Sequence, residues 1–234
     1  MMKKLQIPNI DVEIDMSNVT GVHLDFSGGP DSALLGYILA KYKNEIDTDL
    51  QLLFANYQAK DIHAHLTPKC QKIVDWISES NGNVDIKFEP LVMDRSSLSD
   101  PEDLELVDAF EDEVIDRYAL DIRSGGVYNY RAIATNMHMP EDLMETLYSG
   151  RWQSGYRPNR VYGKTRLVKN ETKIKPFVNN LKDDLRLIAD TLGITDQLLD
   201  LTNSCNKHQS HPDISYHCGE CYNCIERHWA YGRY

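Results

Sequence analysis

Six consecutive residues, Ser27-Gly28-Gly29-Pro30-Asp31-Ser32, have the types and spacing of an anion cradle. Two glycines lack the Cβ atoms that would hold a phosphate off the backbone, so the N–H groups that open the next helix can point at it. Ser27 and Ser32 add hydroxyl donors. The spacing is neither the GxxxxGK of a Walker loop nor the GxGxxG of a dinucleotide fold. A second cluster, Cys205, Cys218, Cys221 and Cys224, contains two overlapping CxxC units. Three thiolates in one tight turn and a fourth upstream form the tetrahedral four-sulfur set that zinc prefers. His208, His211 and His217 lie in the same stretch, so three cysteines with one histidine is an alternative ligand set.

These groups need elements to position them. The apolar run Gly21-Val22-His23-Leu24-Asp25-Phe26 enters the glycine loop as a strand. Leu34, Leu35, Ile38, Leu39 and Tyr42 leave it at helical spacing. The same patterns predict strands at 20–26, 50–57, 84–92 and 173–177, with helices at 31–43, 67–79, 100–119, 128–138 and 180–192. Thr67-Pro68 reads as a cap followed by a first-turn proline, and Gly193 as a helix stop. Ser99 and Glu102 have capping-box spacing ahead of an apolar stripe at Val107, Phe110, Val114 and Tyr118. Alternation of strands and helices predicts an α/β fold with a parallel sheet between helical layers, which binds ligands beyond the carboxyl ends of its strands. Residues 1–200 are expected to form that domain, and residues 201–234 a small zinc-binding segment packed on it.

The loop resembles the PP-loop of ATP pyrophosphatases. That resemblance implies an adenine nucleotide alpha hydrolase-like fold, cleavage of Mg-ATP between its α and β phosphates, and adenylation of an acceptor oxygen. Pro176 and Lys182 repeat a proline-to-lysine spacing common in that superfamily. Phe26, Ser27, Gly28, Gly29, Pro30, Asp31, Ser32 and Lys182 are the implied ATP contacts. Ser27, Asp31, Ser32 and Lys182 are the implied catalytic set. With the tail Cys218-Gly219-Glu220-Cys221-Tyr222-Asn223-Cys224-Ile225-Glu226-Arg227 added, the chain resembles the 7-cyano-7-deazaguanine synthase family as a divergent member. The resemblance implies a carbon–nitrogen ligase that amidates 7-carboxy-7-deazaguanine with ammonia and carries the product on to the nitrile. Cofactors would be ATP, Mg2+ and Zn2+. Tyr57, Gln58, Arg131, Tyr156 and Arg160 are the implied substrate contacts. Arg131 matches the family's arginine–asparagine pair, whereas Ala132 stands at the asparagine, so a variant that stops at the amide is an alternative.

Composition bounds the partners. With 234 residues, 41% of them hydrophobic, the chain can bury a full core. The net charge of −11 argues against a nucleic-acid partner and against the tRNA-modifying members of the superfamily, because phosphate neutralisation supplies much of such affinity. No apolar run approaches the roughly 20 residues of a membrane span, and no targeting segment is recognised, so a cytoplasmic enzyme of small molecules is expected. The resemblance implies a homodimer. Cys70 shares a helical face with Ile73, Val74 and Ile77 and reads as a small buried hydrophobe.

Overall fold

The computed structural model describes residues 3–10, 12–59, 63–93, 104–137, 139–140, 143, 146–147, 172–205 and 217–233. An antiparallel hairpin, β1 (Lys4–Ile7) and β2 (Val12–Asp15), comes first; its pattern was too short to be expected from the sequence. It buries Leu5, Ile7 and Ile14. The main elements follow as β3 (Gly21–Asp25), α1 (Pro30–Glu45), β4 (Gln51–Ala59), α2 (His63–Ser80), β5 (Lys87–Met93), α3 (Leu104–Ser124), β6 (Tyr130–Ala132) and β7 (Lys173–Ile174). Three helices close the described chain, α4 (Lys182–Leu192), α5 (Thr195–Leu201) and α6 (Tyr222–Tyr231).

Strands β3 to β7 form one parallel sheet in the order β5-β4-β3-β6-β7, as the α/β reading required. The chain builds outward from β3 through β4 to β5, then crosses to the other side for β6 and β7. The reversal lies between β3 and β6, and the loop leaving the carboxyl end of β3 therefore opens at the topological switch point.

The two sheet faces differ in chemistry. Val22, Leu24, Leu52, Phe54, Ala132 and Ile174 join one core with Leu34, Leu35 and Ile38 of α1, Ile73 and Ile77 of α2, and Leu185 and Ile188 of α4. At Gly36 a Cβ would lie 2.8 Å from the Phe54 ring, so α1 approaches the sheet at a distance that only glycine allows there. On the opposite face His23 and Asp25 share a surface with Arg131, and Asp116 and Tyr118 of α3 close over them.

Several boundaries depart from the sequence reading. The helix expected at 128–138 is absent; Tyr130-Arg131-Ala132 is a strand that pairs with Val22-His23-Leu24, and 133–137 carry no helix. Asn129 sets that register, because its Oδ1 accepts from the N–H groups of Thr20 and Gly21 and its Nδ2 donates to Asn18 O. A short apolar run suits either state, and here an open edge of β3 decided it. The helix expected to start at Thr67-Pro68 starts at His63 instead, which places Pro68 inside α2. Pro90 lies within β5, which is tolerated because β5 is an edge strand. Ser99 and Glu102 lie outside the described residues.

His23 is fully buried, and its Nε2 lies 2.8 Å from Tyr57 Oη. Burial, followed by the nearby Arg131 charge, lowers its pKa from 6.5 to about 4. A depressed histidine stabilises the fold where the imidazole is neutral in both states, above about pH 6.5, and that stabilisation is lost as pH falls toward 4. The full effect is about 3 kcal/mol. Urea titrations of wild type and His23→Gln at pH 7 and pH 5 should therefore show a smaller acid-side loss for the variant; equal losses would contradict the buried-imidazole assignment.

Candidate functional site

The glycine loop joins β3 to α1 with little freedom. Phe26 N–H donates to Ala55 O at 2.8 Å, and Asn56 Nδ2 donates to Phe26 O at 2.5 Å, so β4 holds the loop entrance. Gly28 has φ +74°, a left-handed conformation, and a Cβ there would meet Cys70 Sγ of α2 at 2.7 Å. Glycine is required on both counts. Gly29 caps α1, Pro30 occupies its first turn, and the Ser27 and Ser32 hydroxyls lie 3.1 Å apart. Asp31 Oδ1, Asn56 Oδ1 and Ser204 Oγ are buried without hydrogen-bond partners among the described residues. Buried orphan acceptors are uncommon. Asp31 Oδ1, an oxygen at the loop, suits a divalent cation, so the donor chemistry fits Mg2+ there.

Lys182 reaches this loop from the first position of α4. Its Nζ lies 3.2 Å from Asp31 Oδ2 and 2.7 Å from Glu226 Oε2, and the lysine is 5% exposed. Burial works against its charge, but Asp31 and Glu226 outweigh it and hold the pKa above the ordinary lysine value. Tyr222 Oη donates to Glu226 Oε1 at 2.7 Å and accepts from Met139 N–H at 3.2 Å. Arg227, fully buried, donates to Thr202 Oγ1 and Leu199 O. Glu226 and Tyr222 were not anticipated as site residues. The signal was available only as an acidic residue beside the expected arginine, and its partner lies far away in sequence.

The cysteine segment fixes the helix that carries Glu226. The sulfur atoms of Cys205, Cys218, Cys221 and Cys224 all lie within 4.8 Å of one another, and Cys218 Sγ and Cys224 Sγ are 3.9 Å apart. No disulfide joins the cysteines. Backbone N–H groups of Glu220 and Cys221 donate to Cys218 Sγ. A hydrogen bond with Cys221, followed by burial, pushes the Cys224 thiol well above its ordinary value. Joint ionisation of the four sulfurs thus calls for a cation among them. The set can bind a metal. His217 Nδ1 is 3.8 Å from Cys224 Sγ, beside the four sulfurs, while His208 and His211 lie outside the described residues.

The structure brings Ser27, Asp31, Ser32 and Lys182 together and directs other candidates elsewhere. Tyr57 Oη bonds the buried His23, and burial together with the Asp25 charge raises its pKa beyond the phenol range. Arg131 is committed to a bidentate pair with Asp25 and to Asp116. Both belong to the polar sheet face. Gln58 lies on β4 with its side chain outside the described residues, as are Tyr156 and Arg160 entirely. A cavity of about 460 Å³ between the hairpin and the far half of α1, lined by Leu5, Ile38 and Tyr42, begins about two helical turns beyond the loop.

No protein-family model matches the chain, and no curated protein matches it. Solved structures that match include the U34-tRNA thiolase NcsA from Methanococcus maripaludis with its 4Fe-4S cluster, at 17% identity and TM-score 0.48, covering 93% of this chain and 72% of that one. The NMN synthetase from Francisella tularensis matches at 14% identity and TM-score 0.49, covering 92% and 79%. The NAD+ synthetase from Burkholderia pseudomallei matches at 14% identity and TM-score 0.46, covering 94% and 76%. At these identities and scores the likenesses say nothing about activity, and the fold assignment stands on the sheet order and the loop. No described helix is long and apolar enough to cross a membrane.

Glu226→Gln keeps the side-chain shape and removes the charge from Lys182. It is expected to cost about 2–3 kcal/mol, less than the full loss of a buried pair because Asp31 remains. Denaturant titration checks this; a loss below about 0.5 kcal/mol would show that the pair contributes nothing.

Proposed function

We propose that this chain is an ATP-dependent carbon–nitrogen ligase that adenylates a carboxylate and transfers the acyl group to ammonia. One observation carries the reading: the tight glycine loop at the switch point of the parallel sheet, with Lys182 and an Asp31 oxygen unpartnered among the described residues at its mouth. A substrate carboxylate oxygen would form a bond to the α-phosphorus while the bond from that phosphorus to the bridging oxygen breaks, and pyrophosphate leaves into the loop. Ammonia would then attack the acyl carbon, and AMP would leave with the bonding pair. The loop N–H groups and the hydroxyls of Ser27 and Ser32 would bind the departing oxyanion, and Asp31 would hold Mg2+. The cation would neutralise charge on the β-phosphate side.

The acceptor we propose is 7-carboxy-7-deazaguanine, carried to the amide and then, by a second adenylation, to the nitrile. Support comes from the CGxCxxC tail followed three residues later by Arg227, together with the four converging sulfurs. Those sulfurs suit Zn2+ as a closed structural site. Ala132 is fully buried in the sheet and offers no polar side chain to a substrate, which favours the second reading, a variant that stops at the amide.

The test is a mass-spectrometric assay with Mg-ATP, ammonium and 7-carboxy-7-deazaguanine that follows AMP, amide and nitrile, with Ser32→Ala as the control. Nitrile with matching AMP supports the full synthase and amide alone the shortened one; absence of substrate-dependent AMP rules out this acceptor. Metal analysis of protein purified without chelator should give about one zinc per chain, and less than about half an equivalent with all four thiols reactive would remove zinc from the reading.

A further inference from the structure

Lys69 lies on α2 directly before Cys70, the residue whose sulfur packs against Gly28 of the loop. It is 4% exposed. Among the described residues it forms no hydrogen bond or ion pair, and the charge that acts on it besides the neighbouring Cys70 is a second cation, Arg227. Burial, only partly offset by Cys70, lowers its pKa to about 8. An ammonium group offers three donors and is costly to bury without acceptors. The contrast with Lys182 is informative. That lysine, which reaches the loop from the start of α4, is enclosed by Asp31 and Glu226, which leave it no surplus positive charge. Arg227 has carbonyl and hydroxyl acceptors, although its Nε is buried without one. The described residues thus supply carboxylates to Lys182 and none to Lys69.

We propose that Lys69 is a phosphate ligand of the glycine loop, its counter-ion being the pyrophosphate oxyanion bound above Gly28 and Gly29. This rests on the nucleotide reading of the loop. Lys69 then provides net positive charge where the pyrophosphate leaves, while Lys182 orients Asp31 within a cage that has no positive charge to spare.

Calorimetric titrations of full-length wild type, Lys69→Met and Lys69→Arg with magnesium pyrophosphate and separately with AMP test this, together with thermal melts of the unliganded proteins. Lys69→Met should weaken pyrophosphate about ten- to hundredfold, the range for a charged hydrogen bond, with AMP affinity changed less than about threefold. Lys69→Arg should retain part of the affinity. The unliganded melt of Lys69→Met should equal or exceed that of wild type, because an uncompensated buried cation has been removed. Unchanged pyrophosphate affinity in Lys69→Met would overturn the proposal. So would equal weakening of both ligands together with a lowered melt, which marks a structural residue. Wild type that binds AMP but not pyrophosphate also overturns it. Wild type that binds neither ligand sinks the nucleotide reading itself, and the role of Lys69 with it.

Discussion

The ion cage of Asp31, Lys182 and Glu226 is the constraint on which the rest of the site depends. Lys182 and Glu226 are buried together beside the partly buried Asp31, and the two carboxylates, which repel each other, are tolerable because the ammonium group contacts both. Asp31 comes from the glycine loop, Lys182 from the start of α4, and Glu226 from α6, so the cage requires three separate stretches of chain to arrive in register. α6 is too short to hold itself in place by helix propensity. Its position is set by Tyr222, by Arg227 bonding to the end of α5, and by the four sulfurs at its start.

This arrangement gives the cysteine segment a physical role at the loop. The four sulfurs can bind a metal, and a metal in such a closed site would replace the core that so short a segment cannot build. Glu226 follows two residues after Cys224 on the same helix, so anything that loosens the sulfur cluster also loosens the partner of Lys182. The four-sulfur cluster and the glycine loop are then joined through one rigid helical turn.

The sheet separates packing from polarity in the same spirit. Its apolar face carries the core against α1, α2 and α4, and its other face carries a buried imidazole, a bidentate ion pair and Tyr57, with Tyr118 of α3 packed against them. The pleat alternates side chains across the sheet, so Val22 and Leu24 serve the first face while His23 and Asp25 serve the second. Tyr57 and Arg131, plausible substrate contacts when read along the chain, are satisfied within this second network.

What the sequence by itself determined is what depends on near neighbours along the chain. The glycine pair had to turn where side chains could not, the apolar periodicity of α1 and α4 had to be helical, Gly193 had to cap at φ +69°, and the CxxC spacing had to gather sulfurs. Such features arise from local sterics and from helix period. Tertiary structure alone decided the rest. Tyr130-Arg131-Ala132 became a strand because β3 had an unpaired edge, and Pro68 stayed inside α2 because the packing of Cys70, Ile73 and Ile77 outweighed one lost helical bond. Which lysine received carboxylates and which did not could not be read from Lys182 and Lys69 themselves. Charge pairing acts through space over a few ångströms, and only the folded chain places Glu226 beside one lysine and Arg227 near the other.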